Sequence, residues 1–316
     1  MNAKLIISSA TIYLTAANQL QAQSVYLTSS FTGRTAEDWV FTHSLGEGAS
    51  LTAATRRDPD GQGWLRLTNN AAHQASFVYY NKPIPTKAGL QMDFDMTIWG
   101  STRELGDGIS IALFSTEGTP IAGGYGGSLG YAQRNNIGGL SGGILGVGFD
   151  VFGNFSSPTE GRLGGPERIR NSIALRGSMG ADPTTGYEYI TGVTPETSFA
   201  TPNIRSRLDA SIYNVRLLMP NENQFTLQMK LSDESDYVTL IDGIDPGIDL
   251  PDDIRFGFTA GTGGAYSFQE VRNISVTSFT GSLPYPVPEP SALLLLSISM
   301  TGLLCYRRRN NRENSY

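Results

Sequence analysis

A short run of oxygen-bearing residues lies between two apolar segments in the middle of this 316-residue chain. Asp150 ends the first apolar segment, and the polar, glycine-rich loop after it carries Asn154 and Glu160. With the backbone carbonyl of Phe152, these residues offer two carboxylates, an amide oxygen and a carbonyl oxygen at close spacing. Ca²⁺ binds to oxygen ligands of these kinds. The pattern therefore predicts a calcium site; the alternative is that Asp150 and Asn154 only hydrogen-bond the turn.

Few residues support other metal, redox or nucleotide chemistry. The only cysteine is Cys305, which excludes an intramolecular disulfide and a cysteine-based metal site. The two histidines, His43 and His73, are far apart and outside the polar loops, which argues against a zinc centre and against a Ser-His-Asp catalytic set. The glycine-rich segment 122–133 lacks the Lys-Ser/Thr ending and the following helix of a phosphate-binding loop, so nucleotide binding is not expected.

The segments that must position the loop have the pattern of β-strands. A composition of 37 glycines, 14 tyrosines and 14 phenylalanines, without a long stretch of helical period, favours β-structure. Segments 144–151 and 173–175 are apolar, as in buried strands. In segment 92–99 apolar and polar side chains alternate, which predicts one buried face. Segments 213–219 and 224–231 form a predicted hairpin.

No linker, internal repeat or charge block divides residues 24–283, which predicts a single domain. Short strands with turn signals throughout, without alternating helices, predict an all-β antiparallel sandwich. The formal net charge of −6 disfavours nucleic acid and anionic membrane as ligands, so no nucleic-acid partner is expected.

The first 22 residues have the layout of an export signal. Lys4 precedes an apolar run at 5–17, and small and polar residues follow. A secretory signal peptide has this order, so segment 1–22 is predicted to be one, with cleavage near Ala22. The alternative is that this segment is a first strand or short helix of the domain.

The C-terminal segment has three parts in a fixed order. A Val-Pro-Glu-Pro motif at 287–290 precedes an apolar run at 291–306, and three arginines follow at 307–309. A helix over the apolar run spans only about 24 Å at ~1.5 Å per residue, short of a ~30 Å hydrocarbon core. The arginines predict that the body of the protein lies outside the cytoplasm.

These parts resemble the PEP-CTERM sorting signal of Gram-negative bacteria, which we assign to residues 287–312. The resemblance implies handling by an exosortase-type membrane protease and contact with the inner membrane through a transmembrane helix at 291–306. It also implies export across the inner membrane, to the cell surface, the extracellular matrix or a membrane-anchored position. The alternative is an ordinary C-terminal membrane anchor, which has the same topology.

Four pieces of the chain occur in an informative order. They are Asp107-Gly108, a Gly-Gly-Ser-Leu-Gly run at 126–130, a Gly-Phe-Asp-Val-Phe-Gly-Asn run at 148–154 and an Ile-Arg-Phe-Gly-Phe-Thr-Ala-Gly-Thr-Gly-Gly run at 254–264. This order resembles the L-type (legume-like) lectins, and their bacterial secreted branch more than the plant seed lectins. The resemblance covers most of residues 24–280 and implies a concanavalin-like antiparallel β-sandwich, or jelly roll.

The resemblance also implies a monosaccharide pocket where three loops meet at one edge of the sandwich. Asp107 would accept hydrogen bonds from two sugar hydroxyls, and Gly127 would donate its backbone N–H. The amide of Asn154 would serve both sugar and Ca²⁺, and the last loop, with Thr262 and Gly263, would shape one wall. The alternative for Asp107 is a turn residue before a glycine.

An aromatic ring beside such a pocket would stack on the C–H face of a sugar. Phe152, Phe155 and Tyr131 are the candidates in this chain. The alternative for Phe152 is a position in the hydrophobic core.

For the metal, the resemblance implies that Asp150, the carbonyl of Phe152 and Asn154 are Ca²⁺ ligands. The family has a further carboxylate about five residues after the asparagine, where this chain has Thr159. Glu160, one position later, is the candidate substitute through a slightly longer loop.

Two positions depart from the family pattern for a transition metal. Gly148 stands where an acidic ligand is expected, and Asn171 stands where a histidine is expected. A transition metal is therefore not expected in this chain.

The predicted function is that of an exported carbohydrate-binding protein of the cell envelope or exopolysaccharide matrix, with a glycan or exopolysaccharide as partner. The alternatives are a structural protein or adhesin without sugar binding and, with less support, a glycoside hydrolase. Glycosidases use a pair of carboxyl groups that flank the scissile bond. No Glu-x-Asp-x-x-Glu run is present, and Asp93 and Asp95 alternate with apolar residues, as exposed strand positions do. The chain is therefore predicted not to be an enzyme.

Overall fold

The computed structural model describes residues 23–280, which form two β-sheets with a shared core. Two 3-10 turns, Gly126–Ser128 and Arg207–Asp209, lie in the connections. The strands in chain order are β1 (Val25–Ser29), β2 (Trp39–Leu45), β3 (Ser50–Leu51), β4 (Leu65–Thr68), β5 (Gln74–Tyr80), β6 (Ile84–Pro85), β7 (Leu90–Trp99), β8 (Gly108–Ser115), β9 (Gly143–Asp150), β10 (Ser172–Arg176), β11 (Tyr189–Val193), β12 (Ala200–Thr201), β13 (Tyr213–Asn221), β14 (Gln224–Leu231), β15 (Val238–Ile244), β16 (Asp253–Thr262) and β17 (Phe268–Ser278).

The larger sheet has nine strands in the order β15-β14-β13-β7-β17-β4-β3, with β1 beside β17 and β12 beside β7. The smaller sheet has eight strands in the order β11-β10-β9-β8-β16-β5-β2, with β6 beside β16. Within the described residues the named strands pair antiparallel, apart from the short parallel pair of β12 with β7. The prediction of an all-β antiparallel sandwich is confirmed.

The core between the sheets follows from the alternating pattern of the strands. In β7, Phe94 and Met96 are buried, whereas Asp93 and Asp95 lie on the opposite face. Arg216 of β13 donates to Asp93 across the strands (2.6 Å), which satisfies that carboxylate at the surface. Burial of one large apolar side chain contributes roughly 1.5–3 kcal/mol, so the apolar stripe fixes which face of the strand turns inward.

Strands β8 and β9 of the smaller sheet are buried on both faces. One face lies against the core, and the other is covered by an aromatic layer that includes Phe77, Tyr131, Phe155 and Tyr187. Tyr131 and Tyr187 pack edge to face with ring centroids 5.5 Å apart. The polar, glycine-rich loops are therefore anchored to the sheet by buried rings, which fixes their backbone.

The strand register brings distant parts of the chain to one edge of the smaller sheet. Gly108, which begins β8, pairs with Asp150, which ends β9. Gly108 also pairs with Gly261 near the end of β16, and Asp150 pairs with Ser172 at the start of β10. Asp107, Asp150 and the loop after Gly261 consequently lie at the same edge.

The structure tests the predicted hairpin but not the predicted segments at the two ends of the chain. The predicted hairpin is confirmed by the pairing of β13 with β14. The predicted signal peptide at 1–22 and the predicted sorting signal at 287–312, with its transmembrane helix at 291–306, lie outside the described residues. Between residues 23 and 280, none of the helical segments is long and apolar enough to cross a bilayer.

Candidate functional site

Asp107 lies immediately before β8, and its main chain is fixed on both sides. Its N–H donates to the carbonyl of Gly261 (3.0 Å), and its own carbonyl accepts the N–H of Val151 (2.8 Å). Its side chain is almost fully buried, and Oδ2 has no hydrogen-bond partner among residues 23–280. Because an unpaired buried carboxylate oxygen costs free energy, this atom is an acceptor in need of a donor.

The surroundings of Asp107 disfavour its charge. Burial, and then the nearby carboxylate of Asp150, raise the pKa of Asp107 well above its usual value. The backbone N–H of Gly263 and, to a smaller extent, the positive charge of Arg162 act in the opposite direction. Hydroxyl donors at Oδ2 would favour the ionised form, because hydrogen bonds to a carboxylate stabilise its charge.

Two glycines border Oδ2 of Asp107 from two other segments. A Cβ atom on Gly263 would lie 3.0 Å from Oδ2, and one on Gly126 would lie 3.8 Å from it. Gly126 has a φ of +64°, in the left-handed region that glycine adopts most readily. Backbone atoms of two glycines therefore lie beside this buried oxygen.

The same turn contacts the β9–β10 loop (residues 151–171) through Gly127. A Cβ atom on Gly127 would fall 2.2 Å from Cβ of Asn154, so only glycine fits there. Asn154 itself is half-buried. The structure thus brings Asp107, Gly127, Asn154 and Gly263 together from four segments of the chain.

Thr262 does not present its hydroxyl to this site. The side chain is buried, its Oγ1 donates to the carbonyl of Ala71 (2.8 Å), and it accepts the N–H of Gln74 (3.0 Å). These bonds hold the segment between β4 and β5 against the end of β16. The predicted contribution of Thr262 to a wall of the pocket is therefore limited to its backbone.

The three aromatic candidates differ in exposure. Tyr131 and Phe155 are fully buried in the aromatic layer on the smaller sheet, so neither offers a face to a sugar and that expectation is wrong for both. Phe152 is half-buried, and the guanidinium carbons of Arg168 and Arg170 lie 4.7 and 5.2 Å from its ring centroid. Phe152 is the one of the three that remains a candidate.

Tyr125 is an aromatic residue at the site that the sequence analysis missed. It directly precedes the turn Gly126–Ser128 and is half-buried. The guanidinium carbon of Arg134 lies 3.7 Å from its ring centroid, and His73 packs edge-on at 5.8 Å. Its place between glycine pairs in the run 123–127 is the signal that could have identified it.

Asp150 is completely buried, and its carboxylate organises the turn after β9. Oδ1 accepts the N–H of Gly153 (2.7 Å), and Oδ2 accepts the N–H of Phe155 (2.5 Å). Burial raises the pKa of Asp150 to about 6, although these hydrogen bonds act in the opposite direction. This arrangement matches the alternative in which Asp150 hydrogen-bonds the turn.

Glu160 is held by two arginines. Oε1 accepts a hydrogen bond from Nη2 of Arg134 (2.7 Å), and Oε2 accepts one from Nη1 of Arg162 (3.1 Å). Burial disfavours its charge, but the two guanidinium groups outweigh that effect and lower the pKa of Glu160. Glu160 is therefore the anionic partner of two cations, not a free metal ligand.

The predicted calcium ligands do not form a free oxygen cage. Both carboxylate oxygens of Asp150 accept backbone N–H groups, and both oxygens of Glu160 accept guanidinium N–H groups. In the described part of the chain, no group of three or more His, Cys, Asp or Glu side chains is placed to hold a metal ion. The residues present do not fit the Ca²⁺ site expected at Asp150, Phe152, Asn154 and Glu160.

The two positions that depart from the lectin pattern have other roles. A Cβ atom on Gly148 would lie 2.4 Å from Cδ1 of Phe155, so that ring fills the space an acidic side chain would enter. Oδ1 of Asn171 accepts the N–H of Phe199 (3.1 Å), and its amide donates to the carbonyl of Thr197 (3.3 Å). Both positions therefore serve packing and the connection between segments.

Comparison with known proteins places this fold among lectins. The lectin from Bauhinia forficata in complex with GalNAc has a TM-score of 0.54 and 17% identity, covering 82% of this chain and 99% of that chain. Basic winged bean lectin with Tn-antigen has a TM-score of 0.55 and 16% identity, covering 82% and 98%. The Ca²⁺- and mannose-bound VIP36 exoplasmic/lumenal domain has a TM-score of 0.52 and 17% identity, covering 79% and 87%. No family model and no curated protein matches the chain.

These likenesses support an L-type lectin fold, and at such low identities they establish the fold alone. The expected lectin-type sandwich of two antiparallel sheets is confirmed. The similar structures include both Ca²⁺-bound and metal-free forms of the VIP36 domain. A calcium ion is therefore compatible with the fold, whereas its ligands depend on the residues of each chain.

Proposed function

We propose that the chain binds carbohydrate at the edge of the smaller sheet, where Asp107, Gly127, Asn154 and Gly263 meet. The unpaired, buried Oδ2 of Asp107 is the observation that carries this proposal. Sugar hydroxyls both donate and accept hydrogen bonds, so neighbouring hydroxyls of one ring would donate to this carboxylate. The N–H of Gly127 and the amide of Asn154 would supply donors to the same ring. The GalNAc complex of the Bauhinia forficata lectin and the mannose-bound VIP36 domain, which share this fold, support the ligand class.

The apolar side of the sugar would lie against a half-buried ring, for which Phe152 is the proposed residue. Such pockets bind one sugar modestly, and a Kd of ~1 mM corresponds to only about −4 kcal/mol. Binding is therefore best detected with densely immobilised glycans, because multivalent contact raises the apparent affinity.

The proposed function is binding without catalysis. Glycosidases need a pair of carboxyl groups free to act on the sugar, at about 5–9 Å from each other. Asp107 and Asp150 are neighbouring acids, but both oxygens of Asp150 hold the turn that follows β9. Only one carboxylate is left to contact a sugar. Three of the similar structures are named lectins, which supports the same conclusion.

The place of action is also a proposal, and it rests on the sequence. We propose that the protein is exported, that the sorting signal at 287–312 is handled by an exosortase-type protease at the inner membrane, and that the pocket acts in the cell envelope or exopolysaccharide matrix. Cell fractionation and mass spectrometry of the mature chain test this. A chain that begins near residue 23 outside the cytoplasm is expected, and an intact cytoplasmic chain would contradict the proposal.

The test of sugar binding is a glycan array probed with the full chain and with Asp107→Ala. We expect the wild type to bind at least one class of glycan and Asp107→Ala to lose that signal. Asp242→Ala is the matched control, because Asp242 is exposed on β15 of the larger sheet. A blank array for the wild type would refute the proposal and leave the structural or adhesin alternative.

A further inference from the structure

Arg162 connects two loops of the proposed pocket from a fully buried position. Its side chain has no exposed surface. Nη1 donates to Oγ of Ser128 (2.8 Å) and to Glu160 (3.1 Å), and Nη2 donates to Oγ1 of Thr159 (3.0 Å). Ser128 ends the 3-10 turn that carries Gly127. Arg162 therefore ties this turn to the β9–β10 loop.

Arg176, the last residue of β10, is a second buried cation. It is completely buried and donates to four backbone carbonyls, those of Phe155 (2.6 Å), Leu163 (2.7 Å), Tyr187 (2.8 Å) and Ser157 (3.1 Å). Carbonyl oxygens converge in this way on Ca²⁺ in proteins, and a guanidinium with its five donors can take the same position. Arg176 thus gathers the backbone of the β9–β10 loop around one positive charge.

The two guanidinium groups meet at one point of the loop. The carbonyl of Ser157 accepts hydrogen bonds from Nε of Arg162 (3.4 Å) and from Nη2 of Arg176 (3.1 Å). Burial raises the pKa of both Asp107 and Asp150, and the charge of Arg162 offsets part of that rise at each acid. A nearby positive charge offsets part of the cost of burying a carboxylate, and Arg162 supplies one to each acid of the site.

We infer that Arg162 and Arg176 organise the β9–β10 loop in place of a divalent cation, as positioning residues for a pocket that binds its ligand without metal. The carboxylate oxygens that a metal would use are engaged, those of Asp150 by backbone N–H groups and those of Glu160 by arginine. The ring of Phe155 fills the space beside Gly148. Only the glycan readout of this inference rests on the proposed function.

The first experiment compares the wild-type full chain in millimolar Ca²⁺ and in EDTA. We expect the same melting temperature and the same amide hydrogen exchange across residues 151–171 in both solutions. A ligand that binds only the folded state raises the melting temperature. A higher melting temperature or slower exchange of this loop in Ca²⁺ would therefore overturn the inference.

The second experiment removes the cation with Arg162→Ala. We expect faster exchange across residues 151–171 and glycan binding weaker by at least about tenfold, which corresponds to ~1.4 kcal/mol. Millimolar methylguanidinium should restore both, because it can refill the vacated position. Unchanged exchange in Arg162→Ala, or restoration by Ca²⁺ and not by methylguanidinium, would contradict the inference.

Arg255→Ala is the matched control for a buried arginine outside the site. Arg255 donates to the carbonyls of Ser115 (3.0 Å), Glu117 (3.1 Å) and Gly118 (3.0 Å), at the far end of β8 from the pocket. This variant should lose stability but keep the wild-type glycan affinity, and methylguanidinium should not change that affinity.

The outcomes separate this inference from the proposed function. If the wild type binds no glycan, the proposed function fails, and the exchange and melting data still decide what organises the loop. If Arg162→Ala does not fold, the comparison of the wild type in Ca²⁺ and in EDTA, together with the exchange rates of Arg162→Lys, tests whether Arg162 organises the loop. Lysine keeps the charge but has fewer hydrogen-bond donors, so we expect amide exchange in residues 151–171 to be faster than in the wild type and slower than without any cation at position 162.

Discussion

Gly127 lies directly against the side chain of Asn154, where a Cβ atom added to the glycine would stand only 2.2 Å from Cβ of the asparagine. Two loops of the proposed pocket touch at this point without room for one methyl group. The φ of Gly127 is outside the left-handed region, so the requirement for glycine here is one of space. The close approach of these two loops consequently depends on glycine, which has no side chain, at position 127.

Gly127→Ala should push the two loops apart and weaken glycan binding by at least about tenfold, with a loss of stability of about 1–3 kcal/mol from overpacking. Binding to immobilised glycan and urea unfolding measure the two effects. Gly33→Ala is the control, because a Cβ atom there would make only an ordinary contact, 3.7 Å from Oδ1 of Asp60, outside the proposed pocket. If Gly127→Ala binds glycan like the wild type, the contact does not set the geometry of the pocket.

The strands and their inward faces could be predicted because the determinants are local. The alternation in β7 and the apolar runs of β9 and β10 predict which side chains meet the core, and the register then brings Asp107 beside Asp150. Tyr131 and Phe155 were misjudged because a sandwich is expected to bury one face of each sheet. Here loops cover the second face, and no periodic pattern in a loop reveals which of its rings are buried.

The partners of the charged groups could not be predicted, because they join residues far apart in sequence or compete for one carboxylate. Glu160 and Asp150 are residue types that bind calcium. The sequence alone does not show that Arg134 and Arg162 donate hydrogen bonds to the carboxylate of Glu160. The contact of Arg162 with Ser128 likewise depends on how the loops fold over the sheet. Residue types predict which atoms could bind a metal, whereas the neighbours in the folded chain decide whether those oxygens remain free.

Asp107→Asn should stabilise the folded protein at neutral pH while removing glycan binding. Burial and Asp150 raise the folded-state pKa of Asp107, so the folded protein binds more protons than the unfolded chain between the two pKa values. The stability contributed by this group is therefore complete at low pH and is lost as the pH rises through the folded-state pKa. Asparagine carries no charge, and urea unfolding near pH 7 should show a gain of about 1–3 kcal/mol.

The pH dependence provides the control for this prediction. Below about pH 3, where the carboxyl group is largely protonated in both states, Asp107→Asn and wild type should differ little in stability, and the difference should grow toward neutral pH. Asp242→Asn, at an exposed position on β15, is the control for a substitution away from the proposed pocket. An Asp107→Asn variant that is less stable than wild type at neutral pH would show that the Oδ2 atom has a stabilising partner.

Gly148→Ala should cost about 1–3 kcal/mol of stability, because its Cβ atom would stand 2.4 Å from Cδ1 of Phe155. Phe155→Ala alone should cost about 3–5 kcal/mol through the cavity that it leaves. The double variant should cost less than the sum, because loss of the ring makes room for the new methyl group. Urea unfolding of the four proteins measures this coupling, and simple additivity would rule out a direct clash.

Glu270 on β17 is a buried acid that, unlike Asp107, is fully paired. Its carboxylate accepts hydrogen bonds from Arg66 (2.7 Å), from Arg207 (2.9 and 3.1 Å) and from Nε1 of Trp99 (2.9 Å). Glu270→Gln would leave Arg66 without its anion and Arg207 with Asp58 alone, and the expected loss is about 3–5 kcal/mol of stability.

The two buried acids should therefore respond in opposite ways to neutralisation. The partners of Glu270 belong to the larger sheet and its connections, whereas the proposed pocket lies at the edge of the smaller sheet, so folded Glu270→Gln should keep the wild-type glycan affinity. Asp107→Asn should instead keep or gain stability and lose binding. Calorimetric unfolding with glycan titration of both variants measures the contrast. A Glu270→Gln protein that is folded but does not bind glycan would show that the binding geometry depends on both sheets.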